Sequence, residues 1–138
     1  MKFKLHAYIH LRLYYNYLEG FLEQPLAVLT KEGWVVIDAL STPSLSKEFA
    51  DNLWRVKKAP IKYAIITHYH PGHWYGAKTY KQLGSKIIAH YKLLEEYNSG
   101  EAVISLEGAK QRFKGLFDDV ELTTRYSGKG LYGAKGWK

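Results

Sequence analysis

The run Tyr63-Ala64-Ile65-Ile66-Thr67 delivers the chain into six residues, His68-Tyr69-His70-Pro71-Gly72-His73, and then into Trp74-Tyr75-Gly76-Ala77-Lys78-Thr79-Tyr80. An apolar, β-branched run of that length reads as a buried strand, and the segment after the Pro-Gly bend reads as the opening of a helix. A buried strand feeding a helix through a short loop is half of a βαβ unit, which confines the chain to the α/β class. Three of the six histidines sit in that loop at spacing H-x-H-x-x-H. Neutral imidazole is the commonest metal ligand. His68 and His70 are two residues apart, so in an extended backbone their side chains leave on the same side. His73, beyond the bend, can fold back towards them. The three are the candidate metal ligands.

The flanking pattern supports the same class. Phe3, Leu5, Ala7, Ile9, Leu11 and Leu13 alternate with polar residues, the signature of one long strand with a buried face. His6 and His10 lie on its polar side, about 13 Å apart along a strand, too far for a shared cation. Leu26–Thr30 and Trp34–Asp38 flank Lys31-Glu32-Gly33 and predict a β-hairpin with Gly33 at positive φ. Thr42-Pro43 predicts a helix start, with Leu45, Phe49, Leu53 and Val56 as its apolar face. A strand over 61–67, a helix from about His73 to Leu83 stopped by Gly84, and a strand over 86–89 follow. Tyr91 to Tyr97 predicts a short helix, and Glu107 to Leu116 a weaker one. Ligands of such sheets bind beyond the carboxyl ends of the strands. Asp38, His68 and His90 all fall at such ends.

A length of 138 residues suits a single domain over 1–138, with an apolar fraction of 46% that excludes disorder. Cysteine is absent, so a metal has only imidazole and carboxylate to hold it, which suits a catalytic or exchangeable site. Zinc is the first choice for imidazole ligands, with iron, manganese or nickel as alternatives. No apolar run reaches the ~20 residues of a membrane span, and the N-terminus lacks the apolar block of a signal peptide, which predicts a cytoplasmic protein. The net charge is +7, with seven Lys/Arg against three Asp/Glu from Ala109 onward. Residues 120–138, with Gly128, Gly130, Gly133 and Gly136, read as a loose tail. A basic tail carrying Tyr132 and Trp137 could stack on RNA. No recognised nucleic-acid motif accompanies it, so a solvated basic surface is the expectation.

Thr67-His68-Tyr69-His70-Pro71-Gly72-His73 resembles the T-H-x-H-x-D-H signature of the metallo-β-lactamase superfamily of zinc-dependent hydrolases. The likeness runs from about residue 26 to 97. It takes in Gly33-Trp34-Val35-Val36-Ile37-Asp38, similar to the strand that ends in the family's aspartate, and Gly84-Ser85-Lys86-Ile87-Ile88-Ala89-His90, similar to the strand after the metal loop. The resemblance implies half of an αββα sandwich, a mixed β-sheet with helices on one face. It implies His68 and His70 as ligands of a first zinc and His73 as a ligand of a second. Asp38 would steady the loop from behind, with His90 in a supporting or ligand role. Gly72 stands where the family has a metal-binding aspartate, and no histidine follows His90. One zinc is therefore expected rather than two, and Gly72→Asp is expected to raise metal affinity. The implied activity is hydrolysis of an ester, amide or thioester by metal-bound hydroxide, weak or absent in this chain alone. The alternative is a non-catalytic metal-binding or scaffold module. The bare apolar faces predict a homodimer that completes the sandwich, the rival being residues 98–138 folding back to cover the sheet within one chain.

Overall fold

The computed structural model describes residues 8–10, 13–14, 22–23, 25–122 and 131–133. The alternating N-terminal stretch does not make one strand. β1 (Tyr8–His10) and β2 (Leu13–Tyr14) belong to different sheets. β1 pairs antiparallel with β4 (Leu26–Thr30), whereas β2 pairs with β3 (Leu22–Glu23) in a small two-stranded sheet, Leu13 opposite Glu23. Period-two alternation reports which side a residue faces, not which strand it pairs with. The rest of the predicted strand, residues 1–7 and 11–12, lies outside the described residues, as does His6.

The predicted hairpin is present. β4 and β5 (Gly33–Ile37) pair antiparallel from Leu26 opposite Ile37 to Thr30 opposite Gly33. Gly33 takes φ +129°, and a Cβ there would stand 2.3 Å from the Pro60 carbonyl oxygen, so only glycine fits. α1 (Pro43–Val56) starts at the predicted place: Thr42 accepts the Leu45 amide on its hydroxyl and Pro43 opens the first turn. Phe49 and Leu53 are fully buried on its inner face. Val56 is a correction, since it is 54% exposed where α1 runs past the edge of the core.

β6 (Ile61–Ile66) lies parallel to β5. The predicted helix over 73–83 is two pieces, α2 (Pro71–Trp74) and α3 (Ala77–Gln82), broken at Tyr75 and Gly76. Gly84 ends α3 with φ +86°, and β7 (Lys86–Ala89) pairs parallel with β6. α4 (Tyr91–Ser99) and α5 (Glu101–Arg112) meet at Gly100, φ +86°, so the second helix begins six residues earlier than its periodicity suggests. β8 (Leu131–Gly133) lies parallel to β7, which corrects the expectation of a loose tail for those three residues. Val120, at the head of that predicted tail, is fully buried and is a further correction, while residues 123–130 and 134–138, including Trp137, lie outside the described residues.

The six-stranded sheet has the order β1-β4-β5-β6-β7-β8. Each parallel strand is laid beside its predecessor in one direction. Right-handed crossovers then put every connecting helix on one face. Ala27, Trp34, Val36, Ala64, Ile66, Ile87 and Ala89 point to that face and are buried under the helices. The opposite face carries Leu26, Val28, Val35, Ile37, Ile65 and Ile88, all half-buried. Phe117 and Val120 close the helical layer, and the Asp119 carboxylate accepts the Ser44 amide at 2.8 Å in the first turn of α1. Among the described residues no helix is long and apolar enough to cross a membrane.

Candidate metal centre

The carboxyl ends of β5 and β6 are adjacent in the sheet, and this is where the polar side chains gather. Asp38 follows β5 in the left-handed region, φ +66°, a conformation that Asp tolerates better than most residues. Its backbone N–H donates to the Ile65 carbonyl at 2.8 Å. The turn aims its carboxylate across the gap at the end of β6. Oδ1 accepts the Thr67 amide at 2.9 Å and the Thr67 hydroxyl at 2.8 Å. Oδ2 faces His73 Nδ1 at 2.8 Å.

This arrangement sets the tautomers. An ionised carboxylate only accepts, so the Thr67 hydroxyl proton points at Asp38 and its oxygen must accept from His68 Nδ1, 2.9 Å away. His73 likewise carries its proton on Nδ1. Nε2 of His68 and of His73 is thereby left unprotonated, the form that binds a cation, and His68 Nε2 accepts from His70 Nδ1–H in the metal-free protein. Desolvation first, then the neighbouring His73 and His70, holds the His68 imidazole below its usual range and favours that neutral form.

His70 is the N-cap of α2, with φ −63° and ψ 141°, and its carbonyl accepts the His73 amide at 2.9 Å. That single turn brings His73 back over the strand end. The rings of His68 and His73 lie 3.9 Å apart and those of His68 and His70 4.7 Å apart. His68 Nε2 and His70 Nδ1 approach to 3.0 Å, close enough for one cation to be shared between them. Among the described residues no three His, Cys, Asp or Glu side chains are already arranged around one point as a metal would need, and His73 Nδ1 is engaged by Asp38.

His90 does a different job. Its Nδ1 accepts the Lys92 amide at 3.3 Å as the N-cap of α4, and its ring lies against Tyr91. Trp74 and Tyr75, beside the loop in sequence, are buried in the core, and Trp74 Nε1 ties the loop down through the Tyr69 carbonyl at 2.6 Å. Behind them lies an apolar cavity of about 210 Å³ between α3, β7 and α4, and none of the three loop histidines lines it.

Glu23, the last residue of β3, reaches the same corner and was not foreseen. Its Oε2 accepts the Ser41 amide at 2.9 Å. Its Oε1 is buried with no hydrogen-bond partner among the described residues. Burial pushes the carboxyl up to about 7, against the pull of the Ser41 amide and of the nearby His73. A Cβ built on Gly72 would stand 2.9 Å from Oε1. A glycine in a short polar loop was the one available signal, because it leaves room that another side chain can enter.

Residues 22–134 match the model of the metallo-β-lactamase superfamily. The chain belongs to that superfamily. Its fold is that of a metal-dependent hydrolase, as the resemblance of the histidine loop implies. A metallo-β-lactamase from Pontibacter korlensis is 21% identical over 89% of this chain and 52% of its own length, with a TM-score of 0.59. One from Erythrobacter litoralis, solved with β-mercaptoethanol in its active site, is 16% identical over 70% of this chain and 46% of its own, TM-score 0.57. A Pseudomonas aeruginosa metallo-β-lactamase in its mono-zinc form is 17% identical over 63% of this chain and 38% of its own, TM-score 0.53. At these identities the likeness is one of fold. The chain spans about half the length, or less, of these metallo-β-lactamases. No curated protein matches it.

Proposed function

We propose that the chain carries a single zinc held by His68 and His70 with His73 alongside, and that this centre serves hydrolysis of an ester, amide or thioester. The observation that carries the reading is the approach of His68 Nε2 to His70 Nδ1 at 3.0 Å, with the His68 tautomer set through Thr67 by Asp38. When bound, a zinc supplies a Lewis acid for the carbonyl and an acidified water. The chain's own residues do the rest. Asp38 fixes the His73 ring and the Thr67 amide together, so the end of β6 and the start of α2 cannot drift apart. Thr67 passes that constraint to His68. The Trp74 hydrogen bond to the Tyr69 carbonyl pins the loop between the two outer histidines.

A second reading has its own support. Gly72 brings no carboxylate to the loop, and the chain spans about half of the solved relatives, so the same centre can serve as a metal-binding module without turnover. A homodimer packed through the half-buried face of the sheet belongs to either reading. Elemental analysis of the purified chain, zinc titration, and turnover of a generic ester with and without added zinc test these readings. Stoichiometric zinc with zinc-dependent turnover supports the hydrolase. Stoichiometric zinc without turnover supports the module. Binding that is equally weak in wild type and His68→Ala overturns both.

A further inference from the structure

The loop's missing carboxylate is supplied from elsewhere in the chain. Gly72 sits between His70 and His73 with no side chain of its own. The volume a side chain would enter there is taken by Glu23, whose Oε1 stands 2.9 Å from the position of a Cβ on residue 72. That oxygen is buried and has no partner among the described residues, while its twin Oε2 is held by the Ser41 amide at 2.9 Å. A buried carboxylate oxygen left without a donor is costly, and a bound ion is one of the few things, with ordered water, that can complete such an atom. Glu23 comes from β3, in the small sheet, and is separated from Gly72 by the whole hairpin, α1 and β6. Its carboxylate is aimed by the Ser41 bond rather than by local chain geometry.

We propose that Glu23 is an oxygen ligand, through Oε1, for a divalent cation bound beside His73 and His70, taking the place of a carboxylate at position 72. The inference rests on the reading of the histidine loop as a metal centre. It gives the site a mixed imidazole–carboxylate donor set, which suits zinc and, with its hard oxygen, manganese or iron as well. It also alters one expectation from the sequence. Gly72→Asp alone adds a second carboxylate to a place already filled, so it does not raise affinity as an empty loop would allow.

The test is zinc binding by calorimetry on the full chain, with the visible spectrum of the cobalt-loaded protein as a readout of the donor set. Circular dichroism melts check that each variant is folded. Glu23→Gln keeps the size and the acceptor for Ser41 but loses the charge, and should weaken zinc by about 10- to 100-fold, the range seen when a metal site loses a supporting or ligating group. Glu23→Ala should do the same, and Glu23→Ala with Gly72→Asp should recover most of the loss, because the carboxylate returns from the loop side. The cobalt spectrum should change in Glu23→Gln and return towards wild type in the double variant. If Glu23→Gln binds zinc as wild type does while His68→Ala abolishes binding, the metal centre stands and the role of Glu23 is refuted. If His68→Ala and wild type bind alike, the metal centre itself fails and this inference falls with it. If Glu23→Ala loses affinity while Glu23→Gln does not, Glu23 acts only by holding Ser41, and if both lose affinity but Gly72→Asp restores nothing, the carboxylate does not act from the place beside residue 72; either result refutes the ligand role.

Discussion

Gly76→Ala should be among the most damaging single-methyl additions in this chain, although its backbone conformation is ordinary. With φ −81° and ψ −1°, alanine is conformationally welcome at this position. The obstacle is space. A Cβ there would lie 2.0 Å from Ser46 Oγ, 2.1 Å from the Ala39 carbonyl oxygen and 2.6 Å from the Thr42 carbonyl oxygen. Two of the three are main-chain atoms that no rotamer change can move. Overpacking of this kind costs about 1–3 kcal/mol. Relief would also break the buried bond from the Ser46 hydroxyl to the Ala39 carbonyl, and an unsatisfied buried group costs about 1–3 kcal/mol more. The expected loss is therefore roughly 2–6 kcal/mol, less the few tenths that alanine gains by restricting the unfolded chain. With a urea m-value of about 1–3 kcal/mol per molar, the midpoint should fall by about 1 M or more. Urea titration followed by tryptophan fluorescence reads this, since Trp34 and Trp74 are buried. Gly84→Ala is the comparator: φ is +86° but nothing lies within 4 Å, so only the left-handed backbone penalty of about 1–2 kcal/mol applies. Ser46→Ala should not rescue Gly76→Ala, because the two carbonyls remain. A Gly76→Ala midpoint at or above that of Gly84→Ala would refute the reasoning.

Asp38→Asn keeps a residue that tolerates φ +66° but replaces one acceptor with a donor facing His73, so zinc affinity should drop about 10- to 100-fold while the melt changes little; calorimetry and circular dichroism check the pair. In the metal-free protein, the Glu23 carboxyl is raised to about 7 from 4.5, so the folded state holds its proton more tightly than the unfolded chain does. The stability this contributes is present below pH 4.5 and is lost as pH rises through 7, by up to about 3 kcal/mol. The gap in stability between Glu23→Gln and wild type, measured by urea unfolding with chelator present, should therefore grow in favour of the variant between pH 5 and pH 8, and an unchanged gap would contradict it. Light scattering should return twice the chain mass at micromolar concentration, and Ile65→Lys, on the half-buried sheet face, should return the single-chain mass.

Local chemistry announced much of the fold. Thr42-Pro43 started α1 where expected, Gly33 closed the β4–β5 turn, and the run into His68 was the strand it resembled. The elements that went unforeseen depend on contacts far apart in sequence. The break between α2 and α3 comes from Gly76 fitting against Ala39, Thr42 and Ser46, whose positions the helical pattern of 73–83 does not encode. The early start of α5 follows from Gly100 serving both as the end of one helix and the entry to the next. β8 needs the edge of β7, which no window around Leu131 contains. In the candidate site, the gathering of the three histidines and Asp38 at one strand end was readable because strand periodicity and strand ends specify direction. His90 was placed at a strand end, but its capping bond to Lys92 is a matter of one torsion. Glu23 was invisible for the reason that it matters: its neighbour is Gly72, reached only through the tertiary fold.

The bonds from Asp38 through Thr67 to His68 obey a rule like that of protons in ice. The carboxylate can only receive, so the hydroxyl between it and the imidazole has one permitted orientation, and the imidazole one permitted tautomer. The His73 ring is fixed by the same carboxylate. A free neutral imidazole chooses between two tautomers, and choosing one when a cation arrives costs about 0.4 kcal/mol of entropy per ring if the two are equal, RT ln 2 on the usual affinity scale. Here both choices are made before anything binds. The order of two rings is thus built in during folding, worth about a factor of four in any equilibrium that needs both lone pairs outward.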